Sequence, residues 1–223
     1  MSQAGETAYC FPVPEAARLA SLIGLKSDLE QVLAYCDRMI ERYLGPHLKK
    51  SPFDIAGSTT PVDFLDWEAL STAACVSYAR CFLSGVRQSL NSNLLRTAEP
   101  EFNTLHDFVI GFRNKHIAHS VNSFEENTVT VHLGDNFQSS QEIETVTPSH
   151  TRAAGLAFDI PAKLKRLAQW WLRKVDEEMS VEKANVLRAA RATLLSDLEA
   201  YGTPKSRSAE DRRADVGKRR PNP

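Results

Sequence analysis

Glu99–Asn122, EPEFNTLHDFVIGFRNKHIAHSVN, is the stretch around which the chain is read. Pro100 suits the first turn of a helix, where its missing N–H costs nothing. Phe102, Leu105, Phe108, Val109 and Phe112 recur at helical spacing, with Ile110 beside them, so the segment reads as an amphipathic helix. It ends in a dense polar knot, Arg113-Asn114-Lys115-His116-Ile117-Ala118-His119, and Asn122-Ser123 closes it. An apolar stripe has to be buried against other elements. The rest of the chain is therefore expected to be a helical scaffold that presents this knot.

Upstream, residues 1–26 read as an N-terminal extension with a short helix over Glu15–Ile23. Ser27-Asp-Leu-Glu30 has the form of a capping box and predicts a helix start, with Leu29, Val32, Leu33, Cys36, Ile40 and Leu44 on its stripe and Gly45-Pro46 as its stop. Pro61 predicts a second helix over about 62–90, with a centre rich in small and apolar residues that belongs inside a bundle. Arg80 falls in that centre. It is either a snorkelling arginine at a helix edge or one held at a polar site against the third helix or a partner chain. Residues 91–98 read as a linker.

Downstream the period changes. Thr128-Val-Thr-Val-His-Leu133 alternates as a strand does, Gly134-Asp-Asn136 signals a turn, and Gln141–Val146 returns. This predicts a β-hairpin over about 127–147, followed by a connection over Pro148–Phe158. Leu164, Leu167, Ala168, Trp171, Leu172 and Val175 then form a helical stripe, continuous or interrupted near Ser180, and Val181 to Leu198 prolong the helical pattern. Gly202-Thr-Pro204 stops it, and residues 203–223 read as a disordered basic tail. Residues 27–202 would thus be one mainly α-helical domain with a small hairpin after its third major helix.

Composition narrows the function. Net charge is −1, but the residues from Thr203 onward carry seven Lys/Arg and three Asp/Glu, leaving 20 basic against 25 acidic residues before them. Contact with RNA would be local, not through a global positive field. Cys10, Cys36, Cys75 and Cys81 show neither CxxC nor zinc-finger spacing, so reduced thiols in a cytoplasmic protein are expected. No apolar run approaches a membrane span and no signal peptide is evident.

The knot carries the chemistry. Arginine offers a fixed cationic fork for phosphate oxygens. Histidine takes and gives protons near neutral pH. Asparagine adds a donor and an acceptor. These parts suffice to cleave RNA without a metal or cofactor: histidine assists attack of the 2′-hydroxyl or protonates the leaving oxygen, and arginine stabilises the phosphoryl charge. Spacing complicates this. Arg113 and His119 lie roughly 240° apart on an ideal helix, so either the helix distorts near its end or two chains complete the site. His116 shares the face of Arg113 better. The competing reading is that basic residues and histidines at a helix C-terminus simply cap carbonyls and complement the dipole.

Arg113-Asn-Lys-His-Ile-Ala-His119 resembles the Arg-x4–6-His motif of the HEPN superfamily (higher eukaryote and prokaryote nucleotide-binding), and its RNK…AH string is most similar to the AbiU-type abortive-infection branch. The resemblance covers roughly residues 27–200. It implies a HEPN-like helical bundle that forms a homodimer with the two motifs facing each other, and a metal-independent endoribonuclease of toxin or phage-defence type. Arg113 and His119 would be catalytic, Asn114 would assist, and His116 would rank second. RNA would be the substrate and an antitoxin protein a candidate partner. Val121 stands where a tyrosine-modified variant of the motif carries its tyrosine, so that partnership is not matched. The alternative is a non-catalytic HEPN-like module that binds RNA, nucleotide or a protein.

Other candidates weigh less. His116 and His119 could clamp a metal, but no carboxylate set accompanies them. Trp170-Trp171 could stack bases, though helical spacing places at least one in the core. Asp63, Asp66 and Glu68 complement the N-terminal dipole of the second helix. Neither a Gly-rich phosphate loop nor a Gly-x-Ser-x-Gly elbow occurs.

Overall fold

The computed structural model describes residues 8–44, 64–83, 87–117, 125–133, 143–152 and 155–203. Helix α1 spans Pro14–Met39 and continues as a π-helical turn over Ile40–Leu44. Helix α2 spans Phe64–Ala79, and a 3-10 turn covers Ser92–Thr97. Helix α3 spans Pro100–Phe112 and passes into a second π turn over Arg113–Ile117. Strands β1 (Glu125–Leu133) and β2 (Ile143–Arg152) form an antiparallel pair. Helix α4 spans Ile160–Ala192 and α5 spans Leu195–Tyr201. The fold is mainly helical with one small hairpin, as the sequence predicts.

The core lies between α1, α2, α3 and α4. Leu22, Leu25, Leu29, Val32, Cys36 and Met39 form the buried stripe of α1 at alternating spacings of three and four. They meet Leu164, Leu167, Ala168, Trp171 and Val175 of α4. The two helices run antiparallel, tied at the edge by Arg18–Glu178 at 2.6 Å, Lys26–Asp176 at 2.7 Å and Asp37–Lys165 at 2.5 Å. Among described residues no helix is long and apolar enough to cross a membrane.

Several boundaries differ from expectation. The helix expected to start at Ser27 starts at Pro14, with the proline in its first turn. Ser27–Glu30 therefore lies mid-helix: Glu30, the acid of the expected capping box, is exposed, and Asp28 between them is buried. The Asp28 carboxylate pairs with Arg87 and lies 3.5 Å from Arg80. Gly24 makes room for this: a Cβ there would sit 2.7 Å from Arg87 Nη1. The second helix, expected to reach residue 90, ends at Ala79 because the chain turns back. Leu90 N–H donates to the Cys81 carbonyl at 2.8 Å, and Gln88 N–H to Ser21 Oγ at 3.3 Å. Arg80 thus sits at a helix edge, 57% exposed, beside an acid of α1 and not of the third helix. The expected linker over 91–98 contains the 3-10 turn, capped by Asn91 Oδ1 accepting from Asn93 N–H at 3.1 Å.

Strand β2 runs through Pro148 to Arg152, where a connection was expected, and the hairpin is longer than predicted at both ends. The chain then docks on α2. Trp67 Nε1–H donates to the Leu156 carbonyl at 2.9 Å, and Leu156 N–H donates to Ser71 Oγ at 3.1 Å. Gly155 adopts φ +106°, and a Cβ there would meet Ser71 Oγ at 2.7 Å, so only glycine fits this approach. Helix α4 is continuous past Ser180, whose hydroxyl donates to the Asp176 carbonyl at 2.9 Å within the helix. Val181, Leu187, Leu194 and Leu195, which prolong the pattern, are exposed. The turn expected at Gly134–Asn136 and the basic tail beyond Thr203 lie outside the described residues.

Candidate functional site

Helix α3 positions the knot. Phe102, Leu105, Val109 and Phe112 are buried, as their spacing predicts, and hold the helix against the bundle. Phe108 is 36% exposed, on the flank of the stripe. At Arg113 the helix changes type. Arg113 N–H is shared between the Ile110 and Val109 carbonyls, and a π turn carries Arg113–Ile117. Ile117 stays packed against the core, which anchors the far end of the turn. π turns bind i to i+5 and recur at functional sites. The π turn falls inside the motif, before His119, the point near which spacing allowed a break.

Arg113 and Asn114 are both half-buried, and Lys115 is exposed. Arg113 Nη1–H donates to Asn114 Oδ1 at 3.0 Å, so the asparagine holds one arm of the guanidinium fork. Adjacent residues do not ordinarily share a helical face, yet the two side chains meet on this turn. His116 lies on the π turn, with its side chain outside the described residues, and His119 lies wholly outside them. The structure therefore brings Arg113 and Asn114 together and leaves both histidines of the motif undescribed.

One histidine was not singled out from the sequence. His106 lies seven residues before Arg113, roughly 20° away around an ideal helix and about 10 Å along its axis. It is buried, 2.9 Å from the Tyr78 hydroxyl through Nδ1, with the Phe82 ring edge-on at 4.6 Å. Burial lowers the pKa of its imidazole, opposed by the nearby Asp107 charge. Burial also pushes the Tyr78 hydroxyl up, so the phenol keeps its proton beside the ring. The Trp171 indole N–H faces the same oxygen but falls outside hydrogen-bond geometry, and no partner for it occurs among the described residues. The spacing Phe102-Leu105-His106-Val109 already places position 106 on the apolar stripe, and that was the available signal.

Several of the remaining candidates have structural roles, and Asp63 lies outside the described residues. Trp171 is fully buried and Trp170 packs half-buried against the core, their rings 4.8 Å apart. Asp66 accepts from the Tyr43 hydroxyl at 2.5 Å and pairs with Arg42 at 2.8 Å. Cys36, Cys75 and Cys81 are buried free thiols, each pushed up to about 12 by burial and so unreactive. Among described residues no group of three metal-ligating side chains occurs. A cavity of about 520 Å³ opens between the 3-10 turn and α4, lined in part by Arg18, Asn91, Leu94, Trp171 and Lys174. Its cations are engaged, Arg18 with Glu178 and Lys174 with Glu177 at 2.8 Å. Arg113 and Asn114 do not line it. No family model matches the chain, and neither a curated protein nor a solved structure matches it.

Proposed function

We propose that the protein is a metal-independent endoribonuclease of HEPN type, of the toxin or phage-defence class, acting as a homodimer. The observation that carries this reading is the half-buried Arg113 guanidinium, held by Asn114 Oδ1 at 3.0 Å on a π turn that ends a core-packed helix. A guanidinium with one arm fixed by an amide is oriented before substrate arrives, and its other donors match phosphate geometry. His119 acts as general acid or base on the 2′-hydroxyl or the leaving oxygen, and His116 stands next to it in rank. Attack of the 2′-oxygen on the adjacent phosphorus breaks the P–O5′ bond. It leaves a 2′,3′-cyclic phosphate and a 5′-hydroxyl.

The test is incubation of purified protein with end-labelled RNA in excess EDTA, followed by analysis of product ends. Cyclic-phosphate and 5′-hydroxyl ends are expected. Cleavage that EDTA abolishes, or 5′-phosphate products, would sink the mechanism. A second reading, a non-catalytic module that binds a protein partner, is favoured by the exposed apolar side chains of the hairpin. Tight binding of a protein partner with no RNA turnover would favour it.

A further inference from the structure

The hairpin makes no substantial contact with any described helix, and all its described side chains are exposed. A two-stranded hairpin is marginal alone and gains independent stability from further strands or a packed face. One face of this one is apolar: Val129, Val131 and Leu133 register with Pro148, Val146 and Ile143. The other is a ladder of hydroxyls, with Thr128 Oγ1 2.5 Å from Ser149 Oγ.

The two edges differ. Strand β2 carries Pro148 at mid-ladder and one extra residue, Glu144, opposite the His132–Leu133 step. A proline and a bulge are the devices that blunt a free strand edge. Strand β1 has neither, and Asn127–Leu133 contains no Lys, Arg, Asp, Glu, Pro or Gly. The ladder continues on both sides of Pro148, so its missing N–H faces away from β1. Val129, directly opposite Pro148, then also turns its own N–H and C=O outward. The unprotected edge of β1 is thus a row of peptide groups, on a strand of β-favouring residues.

We propose that β1 pairs antiparallel, across a two-fold axis, with β1 of a second copy of this chain, giving a four-stranded sheet in the order β2-β1-β1-β2. The strand is complementary to itself. With the axis beside Val129, Glu126 faces the partner's His132, Thr128 faces the partner's Thr130, and Val129 faces its own counterpart. This register alone pairs all nine residues of Glu125–Leu133. Carboxylate–imidazole and threonine–threonine pairs stabilise such a ladder. Pairing also joins the two apolar faces into one. This interface does not depend on the ribonuclease reading.

The test uses the full chain in a Cys10→Ser background, the remaining cysteines being buried. Directly opposed residues of an antiparallel ladder have Cα atoms about 4.5–5.5 Å apart, within disulfide span. Under mild oxidation Val129→Cys is expected to form a covalent dimer roughly a hundredfold faster than Glu125→Cys, because pairing raises the effective thiol concentration to about millimolar. A mixture of Thr128→Cys and Thr130→Cys is expected to link more readily than either alone. Val129→Pro, which removes one outward N–H, is expected to lower the mass measured by sedimentation. Equal linking at 129 and 125 overturns the proposal, and this readout stands even where the proline variant folds poorly. A dimer that Val129→Pro leaves intact and Val129→Cys does not link also overturns it, as does a monomer whose β1 edge captures an unrelated extended peptide.

Discussion

The ion pair at Asp28 makes an asymmetric prediction about stability. The Asp28 side chain is 4% exposed, whereas Arg87 is 27% and Arg80 57% exposed. Removing one partner of a buried pair costs about 3–5 kcal/mol, because the charge left behind has no compensation. Asp28→Ala leaves two arginines that reach water, so the cost falls below that range, to about 2 kcal/mol. Arg87→Ala leaves a buried carboxylate with Arg80 at 3.5 Å as its remaining cation, so the cost sits within it, about 3 kcal/mol. For a chain of this size each kcal/mol lowers Tm by about 2–4 °C. Asp28→Ala should therefore lose about 4–8 °C, and Arg87→Ala about 6–12 °C. The double variant should be more stable than Arg87→Ala alone, since it removes the orphaned acid. Urea unfolding of the four proteins gives the cycle directly. An Arg87→Ala variant no worse than Asp28→Ala, or strictly additive losses, would refute the reasoning.

Two further outcomes follow from buried groups. Burial lowers the folded pKa of His106 below its ordinary value of 6.5, so the unfolded chain binds the proton more readily. Its contribution is fully present above pH about 6.5 and is lost as pH falls from there toward the folded pKa. His106→Gln should flatten that part of the stability–pH curve in urea titrations between pH 5 and 8, and an unchanged slope would remove His106 as its cause. Gly24→Ala should destabilise the protein even though alanine favours a helix interior by about 1 kcal/mol, because its Cβ would meet Arg87 Nη1 at 2.7 Å and Cδ at 3.1 Å and displace a guanidinium that buried Asp28 holds in place. In an Arg87→Ala background the same change should stabilise, and the reversal of sign in thermal melts is the readout.

The apolar stripes of α1, α3 and α4 were legible because periodicity records burial directly: Leu29, Val109 and Leu164 lie where spacing puts them. Helix ends were less legible. Ser27–Glu30 satisfies the capping pattern, yet the long-range pair of Asp28 with Arg87 makes that stretch helix interior, and no local pattern reports a partner 59 residues away. The reversal after Ala79 depends in the same way on contacts of 87–90 with α1. Pro148 argued against a strand, but on an edge it costs little. At the site, spacing arithmetic asked for either a break near His119 or a second chain; the π turn over Arg113–Ile117 precedes that point. The Arg113–Asn114 bond was not foreseen, because neighbours in a helix do not ordinarily meet.

The central claim is that Arg113 and His119 together make an RNA-cleaving site. Its most direct measurement is the single-turnover cleavage rate of one RNA in EDTA by the parent protein, Arg113→Ala and His119→Ala. General acid–base catalysis contributes about 10²–10⁴-fold and one charge-stabilising donor about 10²–10³-fold. Both variants should therefore fall by at least about a hundredfold while their melting temperatures stay near the parent's. Cleavage at equal rates by all three proteins, or by none of them, would contradict the account.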